Sequence, residues 1–362
     1  MQEVSVKGEK FTKTNGGYTD LTWTGAVEYW MVMMIRSIES YGMYTLGDKY
    51  FFKNDRGLGM YHRLKALCWA AFALLPMLDL IVPEDWSNPQ NSKHKLHDLK
   101  FRFPLYWWTV MELYTTVRCI GAISNPKNSF SKVEIASALA MLSFFNGGIG
   151  INTSHELLHK NSIFEKVLGY ALLMNVNYIH WGEEHLTGHH RNVATPGDPA
   201  TSRLNETFYQ FFPRTLYGSW KSALSIELNR LNMNSQSAWS PIHNRIMWCA
   251  MVPMMWAGFI LKVTGGGLKA VQYFYIQGFG SATLLELVNY IEHYGLAREK
   301  LANGDFEPVN PTHCKYSFVW IILIVEFEYV AWNAPHRLSN SLLYKLQRHS
   351  GKQLEPYILS PI

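Results

Sequence analysis

Cysteine is scarce in this chain. The four present, Cys68, Cys119, Cys249 and Cys314, are far apart and form no Cys-x-x-Cys, which argues against zinc ribbons, thiolate iron–sulfur sites and a disulfide-stapled secreted scaffold. Charge is also sparse, at 17% of residues, and the net +5 is spread along the chain without a like-charged block, so no nucleic-acid partner is expected. The opening stretch MQEVSVKGEKFTKTNGGYTD holds no apolar core of a secretory signal and is not an Arg-rich, acid-poor transit segment. No repeat, low-complexity tract or Pro/Ser-rich linker divides the chain, so one domain over 1–362 is expected.

What is present in excess is apolar and aromatic surface, 48% and 14% of residues. It gathers in five runs: Ala66 to Pro83, Pro104 to Ser124, Ile135 to Ser154, Ile246 to Leu261 and Ala270 to Ile291. Only Ile135 to Ser154 offers about 20 residues without a charge, the length a helix needs to cross a bilayer core. The others are shorter or carry Asp79, Glu112, Arg118 or Glu286. A soluble protein with buried helices is the competing reading.

Seven of the 14 histidines stand in four places. HELLHK contributes His155 and His159, EEHLTGHH contributes His185, His189 and His190, NYIEHYG contributes His293, and LQRHS contributes His349. Residues four apart share a helix face, so each of the first two stretches can aim a pair of imidazoles at one point. HELLH also matches the zinc-protease pattern with Glu156 as general base, but that reading leaves the second stretch unexplained. An all-imidazole set suits iron, copper, zinc or nickel, and more than four histidines suggest more than one ion.

Ligands of one site must emerge on one side of a membrane. If Val167 to Gly182 crossed, His185 to His190 would lie opposite His155 and His159. That segment is about 24 Å long at 1.5 Å per residue and contains Asn175, Asn177 and His180, so a buried or interfacial helix under the site is expected. Pairing the remaining runs, with an N-terminal segment near Trp23 to Ile35, gives an all-α membrane protein of about six crossings with every histidine on one face. The expected plan is an N-terminal segment 1–22, four membrane helices in 23–154, a site-side region 155–245, a membrane hairpin 246–291 and a site-side end 292–362. Lys93, Lys95, Lys100, Arg102, Lys160, Lys166, Arg191 and Arg203 fall on the site side, which favours cytoplasm or matrix, although the opposite loop 36–65 is basic too.

The stretches LPMLDLIVPEDWSNP, NTSHELLHK, EEHLTGHHRNVATPGDPATSR, NYIEHYGLAR and SNSLLYKLQRHS resemble the alkane monooxygenase family, membrane non-haem diiron hydroxylases related to the fatty-acid desaturases. The spacing of HLTGHH and the added NYIEHYG stretch match that family rather than desaturases. The resemblance implies iron held by His155, His159, His185, His189, His190, His293 and His349, oxygen-dependent hydroxylation of a lipid-like hydrocarbon chain, contact with membrane lipids, and a rubredoxin-like or other electron donor. Glu156, Glu184 and Glu292, each beside a ligand, are candidates to orient an imidazole through its other nitrogen. Asp198 and Arg203 are expected to pair and shape the loop after the second stretch.

The family's last histidine stretch continues to two further histidines, whereas here LQRHS runs into GKQLEPYILSPI. Two of nine ligands are thus expected to be missing, with Lys352 near where one would point. A protonated lysine cannot bind a cation. At least one iron is then expected to be under-coordinated unless His313 or a partner subunit substitutes, and an active enzyme is expected to hold two irons. The alternative is a degenerate member with one ion or none, retained as a structural subunit of a larger, respiratory-type membrane complex.

Overall fold

The computed structural model describes residues 4–6, 9–11, 99–240 and 242–309. The run Ala66 to Pro83, the segment near Trp23 to Ile35, and His313, His349 and Lys352 lie outside the described residues. Within them the chain is helical apart from one small hairpin. Strands β1 (Val4–Val6) and β2 (Glu9–Phe11) pair antiparallel, with Val4 opposite Phe11 and Val6 opposite Glu9. Apart from this hairpin, the named elements of the described residues are helical, in line with the all-α expectation.

The helices are α1 (Leu99–Ser124), α2 (Lys132–Phe145), α3 (Ile151–Leu158), α4 (Ile163–Asn175), α5 (His180–Glu184), α6 (His190–Asn192), α7 (Phe208–Met233), α8 (Arg245–Thr264) and α9 (Leu268–His293). Two π-turns interrupt them: π1 (Asn146–Gly150) joins α2 to α3, and π2 (His185–His189) joins α5 to α6. The apolar runs from Pro104, Ile135, Ile246 and Ala270 therefore lie in helices. Lys132–Leu158 and Arg245–Thr264 are long and apolar enough to cross a membrane by length and composition.

Local signals set the ends. Ser131 begins α2 with a capping box: its hydroxyl accepts from the Glu134 N–H at 3.3 Å and its own N–H donates to Glu134 Oε2 at 2.5 Å. Asn244 caps α8 by accepting from the Ile246 N–H at 2.9 Å. The turn to α9 needs glycine at Gly265 and Gly267, both at φ +63°. Gly266 between them packs against the Ser124 hydroxyl at the end of α1.

The core is a stack of clusters. Ile120, Leu142, Ile260 and Phe274 join α1, α2, α8 and α9. Ile151, Leu173, Trp181 and Leu285 form a second layer under the histidines, and Leu105, Trp108, Phe145, Leu157 and Leu172 a third. Small residues let backbones touch: a Cβ at Gly147 would meet Ser281 O at 2.7 Å, and one at Gly278 would meet Val176 O at 2.7 Å. Dispersion contacts at such close approach, rather than burial alone, hold helices together in an apolar surround.

Two elements differ from the sequence reading. The segment Val167 to Gly182 is not one helix: α4 stops at Asn175, Asn177 takes φ +55°, and α5 begins at His180. The turn carries the chain back toward α3, against which α4 packs. The second is α7, a 26-residue helix that no apolar run announced. It is amphipathic, burying Phe211, Thr215, Ser219, Ala223, Glu227 and Leu231 at four-residue intervals, so its apolar content never forms a continuous run.

Candidate metal centre

His155 sits near the end of α3 and His159 caps it, so one helical turn brings their rings edge to face, with centroids 4.4 Å apart and planes at 71°. Their Nε2 atoms are 3.0 Å apart. π2 and the start of α6 bring His185, His189 and His190 against them. Ring centroids lie 4.7 Å apart for His155 and His185, 4.5 Å for His185 and His190, and 5.0 Å for His159 and His190. In His155, His159, His185 and His190, one ring nitrogen from each falls within 4.8 Å of all the others. That is the arrangement of side chains that can share one cation.

The other two described candidate ligands, His189 and His293, form an adjoining pair. His189 lies 5.1 Å from His185 and 5.0 Å from His293, which arrives at the end of α9. The chain after α9 is tied to the loop after π2: Gly295 N donates to Ser202 O at 3.1 Å, Arg298 N to Ala194 O at 2.8 Å, and Arg298 Nη1 to Arg191 O at 2.9 Å. The third histidine stretch is thus fastened to the second.

Asp198 is the residue whose role the sequence reading misassigned. It does not pair with Arg203, which is exposed; its Oδ2 lies 2.9 Å from His189 Nδ1. It also accepts from Thr201 Oγ1 at 2.5 Å and from the Ala200 N–H at 3.1 Å. Burial pushes this carboxyl up, but the His189 charge and the bonds from His189 and Thr201 outweigh it and hold it below its ordinary value. An ionised Asp198 fixes the proton on His189 Nδ1 and leaves Nε2 as a donor atom. The signal was an acid followed three residues later by Thr, a local turn that leaves a carboxylate oxygen facing back into the fold.

The carboxylates singled out beside ligands have other neighbours. Glu156 forms an ion pair with Lys160, both largely buried. Glu184 accepts from Ser222 Oγ at 3.2 Å and lies against Gly188, where a Cβ would meet its Oε1 at 2.5 Å. Burial pushes Glu184 up to about 7, with the His189 charge acting against the rise. Glu292 is half-buried at the end of α9. The sequence reading also passed over Trp181, whose indole stacks on the His185 ring at 4.2 Å and 22°.

The donor set fits a transition metal. Burial, then the charge of Lys160, lowers His159 to about 4. Burial, then its histidine neighbours, lowers His190 to about 3 and His185 well below its ordinary value. Neutral imidazoles are the ligating form, so the site is primed for a cation at pH 7. His185 Nε2 is buried with no hydrogen-bond partner among the described residues, as a nitrogen reserved for a metal would be. Neutral nitrogen donors without thiolate match iron, zinc, copper or nickel.

Residues 134–350 match the fatty acid desaturase family model. The chain is 34% identical over 304 residues to the alkane 1-monooxygenase of Pseudomonas putida, covering 84% of this chain and 70% of that protein. It is 33% identical over 286 residues to the alkane 1-monooxygenase of Acinetobacter baylyi, covering 78% and 64%. It is 33% identical over 306 residues to alkane 1-monooxygenase 1 of Alcanivorax borkumensis, covering 84% and 69%. The matched part thus spans between six- and seven-tenths of each relative. With these matches over most of its length, the chain belongs to the fatty acid desaturase family, in its alkane monooxygenase branch.

Proposed function

We propose that this protein is an integral-membrane, oxygen-dependent hydroxylase of lipid-like hydrocarbon chains whose site is built from histidines that hold iron. The observation that carries the reading is the convergence of His155, His159, His185 and His190 ring nitrogens within 4.8 Å in a chain of this family. When bound, iron would supply the activation of dioxygen, with electrons from a rubredoxin-like or other donor.

The chain's own residues do the rest. His155, His159, His185 and His190 would hold one ion, and His189 with His293 and His349 would belong to a second. Asp198 keeps His189 in the tautomer that presents Nε2. Trp181 and the layer of Ile151, Leu173 and Leu285 below the rings keep water from the apolar side of the site. The outer face of α8, with Trp248, Met251, Met254, Met255 and Phe259 exposed, suits lipid tails. Six crossings, a site facing cytoplasm or matrix, and Glu156, Glu184 and Glu292 as supporting carboxylates complete this reading.

The test is iron per chain by elemental analysis on the purified full chain, with oxygen-dependent alcohol formation from medium-length alkanes and fatty acyl chains. His155→Ala should lower bound iron and abolish product. Turnover equal to the native rate in that variant would defeat the proposal.

A further inference from the structure

A π-turn contains one residue more per turn than the α-helix around it, so everything beyond it is rotated by about 100° relative to an uninterrupted helix. π1 ends at Gly150, and α3, which carries His155 and His159, begins at Ile151. The direction in which this histidine pair points therefore depends on π1 staying open.

Side chains from four other helices meet at that turn. Asn146, its first residue, donates through Nδ2 to Thr116 Oγ1 of α1 and to Gln277 Oε1 of α9, both at 3.0 Å. Gln277 Nε2 donates to the Asn175 carbonyl at 2.7 Å, at the end of α4. Asn175 Nδ2 donates to Thr116 Oγ1 at 3.0 Å and to Glu112 Oε1 at 3.2 Å, and its Oδ1 accepts from Trp256 Nε1 of α8 at 3.2 Å. Glu112 Oε2 accepts from Trp108 Nε1 at 2.7 Å, and the Glu112 carboxylate rests against the Cα of Gly150, the last residue of the turn. Asn146, Thr116, Asn175, Gln277 and Glu112 have no exposed surface.

Burying this many polar groups between apolar layers is costly, and Asn146 Oδ1 is left without a partner among the described residues, so the network is retained for the one arrangement it specifies over its neighbours. Here its contacts fall on the first and last residues of the irregular turn. We infer that Asn146, Thr116, Gln277 and Glu112 are positioning residues that hold π1 open and so set the direction in which α3 presents His155 and His159 to the metal site. The inference rests on the reading that these histidines bind metal.

The experiment uses the full chain in detergent micelles and Co(II) as probe, whose visible absorption reports the ligand geometry. Thr116→Val is isosteric but removes the acceptor shared by Asn146 and Asn175, whereas Thr116→Ser keeps it. The expected result is a loss of Co(II) affinity of about 10-fold or more in Thr116→Val, with a shifted absorption band and near-native affinity in Thr116→Ser. Should Thr116→Val fail to fold, Gln277→Glu, which keeps the acceptor for Asn146 and loses only the donor to Asn175, is expected to show a smaller loss in the same direction. Native Co(II) affinity and spectrum in Thr116→Val, or in Gln277→Glu if it stands in, would overturn the inference alone. A native chain that takes up no Co(II) would overturn the metal reading and this inference with it.

Discussion

His155, His159, His185 and His190 come from two neighbouring stretches of chain and face one another directly. His189 meets His293 only because α9 returns from the far end of the described chain, and its ring is steered from behind by Asp198. The first group is shaped by helix geometry, with one turn at the end of α3 and one wide turn at π2 supplying the convergence. The second is shaped by long-range fastening, through the bonds from Gly295 and Arg298 to the loop after π2. A site assembled in two ways should fail in two ways.

The sharpest break is between His185→Ala and His293→Ala. Removing His185, whose ring contacts both groups, should abolish tight metal binding, whereas removing His293 should leave the four-histidine group able to hold one ion; metal content per chain distinguishes the two. Equal losses would mean that the groups do not bind separately. Next in size, Asp198→Asn should weaken metal binding at the His189 and His293 end by about 10-fold to 100-fold while sparing the other group. Calorimetric titration that showed one uniform loss would contradict the division.

A third, smaller effect concerns pH. In the metal-free protein His159 and His190 lie at about 4 and about 3 against an ordinary 6.5. Between these values the unfolded chain binds more protons than the folded one, so stability is unaffected above about pH 6.5 and falls as pH drops toward 4. Melting of the metal-free protein should therefore lose several degrees across that window, and His159→Gln should lose less. A flat profile would mean that the imidazoles are not held neutral.

The smallest expected effect is at Arg214, whose Nε and Nη2 bond to both oxygens of Glu206 at 2.7 and 2.8 Å and whose Nη1 and Nη2 reach the carbonyls of Pro199 and Thr201. Arg214→Lys loses this fork and should cost about 1 kcal/mol or less in stability, since the arginine is partly exposed. Any effect on metal should appear at His189, through the loop that supplies Asp198, and not at His155.

Much of the fold was legible because its causes are local. The apolar runs from Pro104, Ile135, Ile246 and Ala270 lie in helices, and the glycines of VTGGGLK mark the turn between α8 and α9. The four-residue spacing of His155 and His159 is enough to bring their rings edge to face. α7 was hidden because its buried stripe is interleaved with polar residues and interrupted by Pro213. The pairing of Asp198 was hidden because a carboxylate has several cations and donors within reach of a flexible loop, and only the folded path selects His189 over Arg203.

The sequence by itself determined that imidazoles from separate stretches would gather without thiolate help, because residue type and helical period depend on no distant partner. Tertiary structure alone decided the two π-turns, the network from Glu112 to Gln277 and the meeting of His189 with His293. A π-turn gains nothing locally over an α-turn. It persists where side chains from other helices supply the hydrogen bonds that make the irregular path the satisfied one.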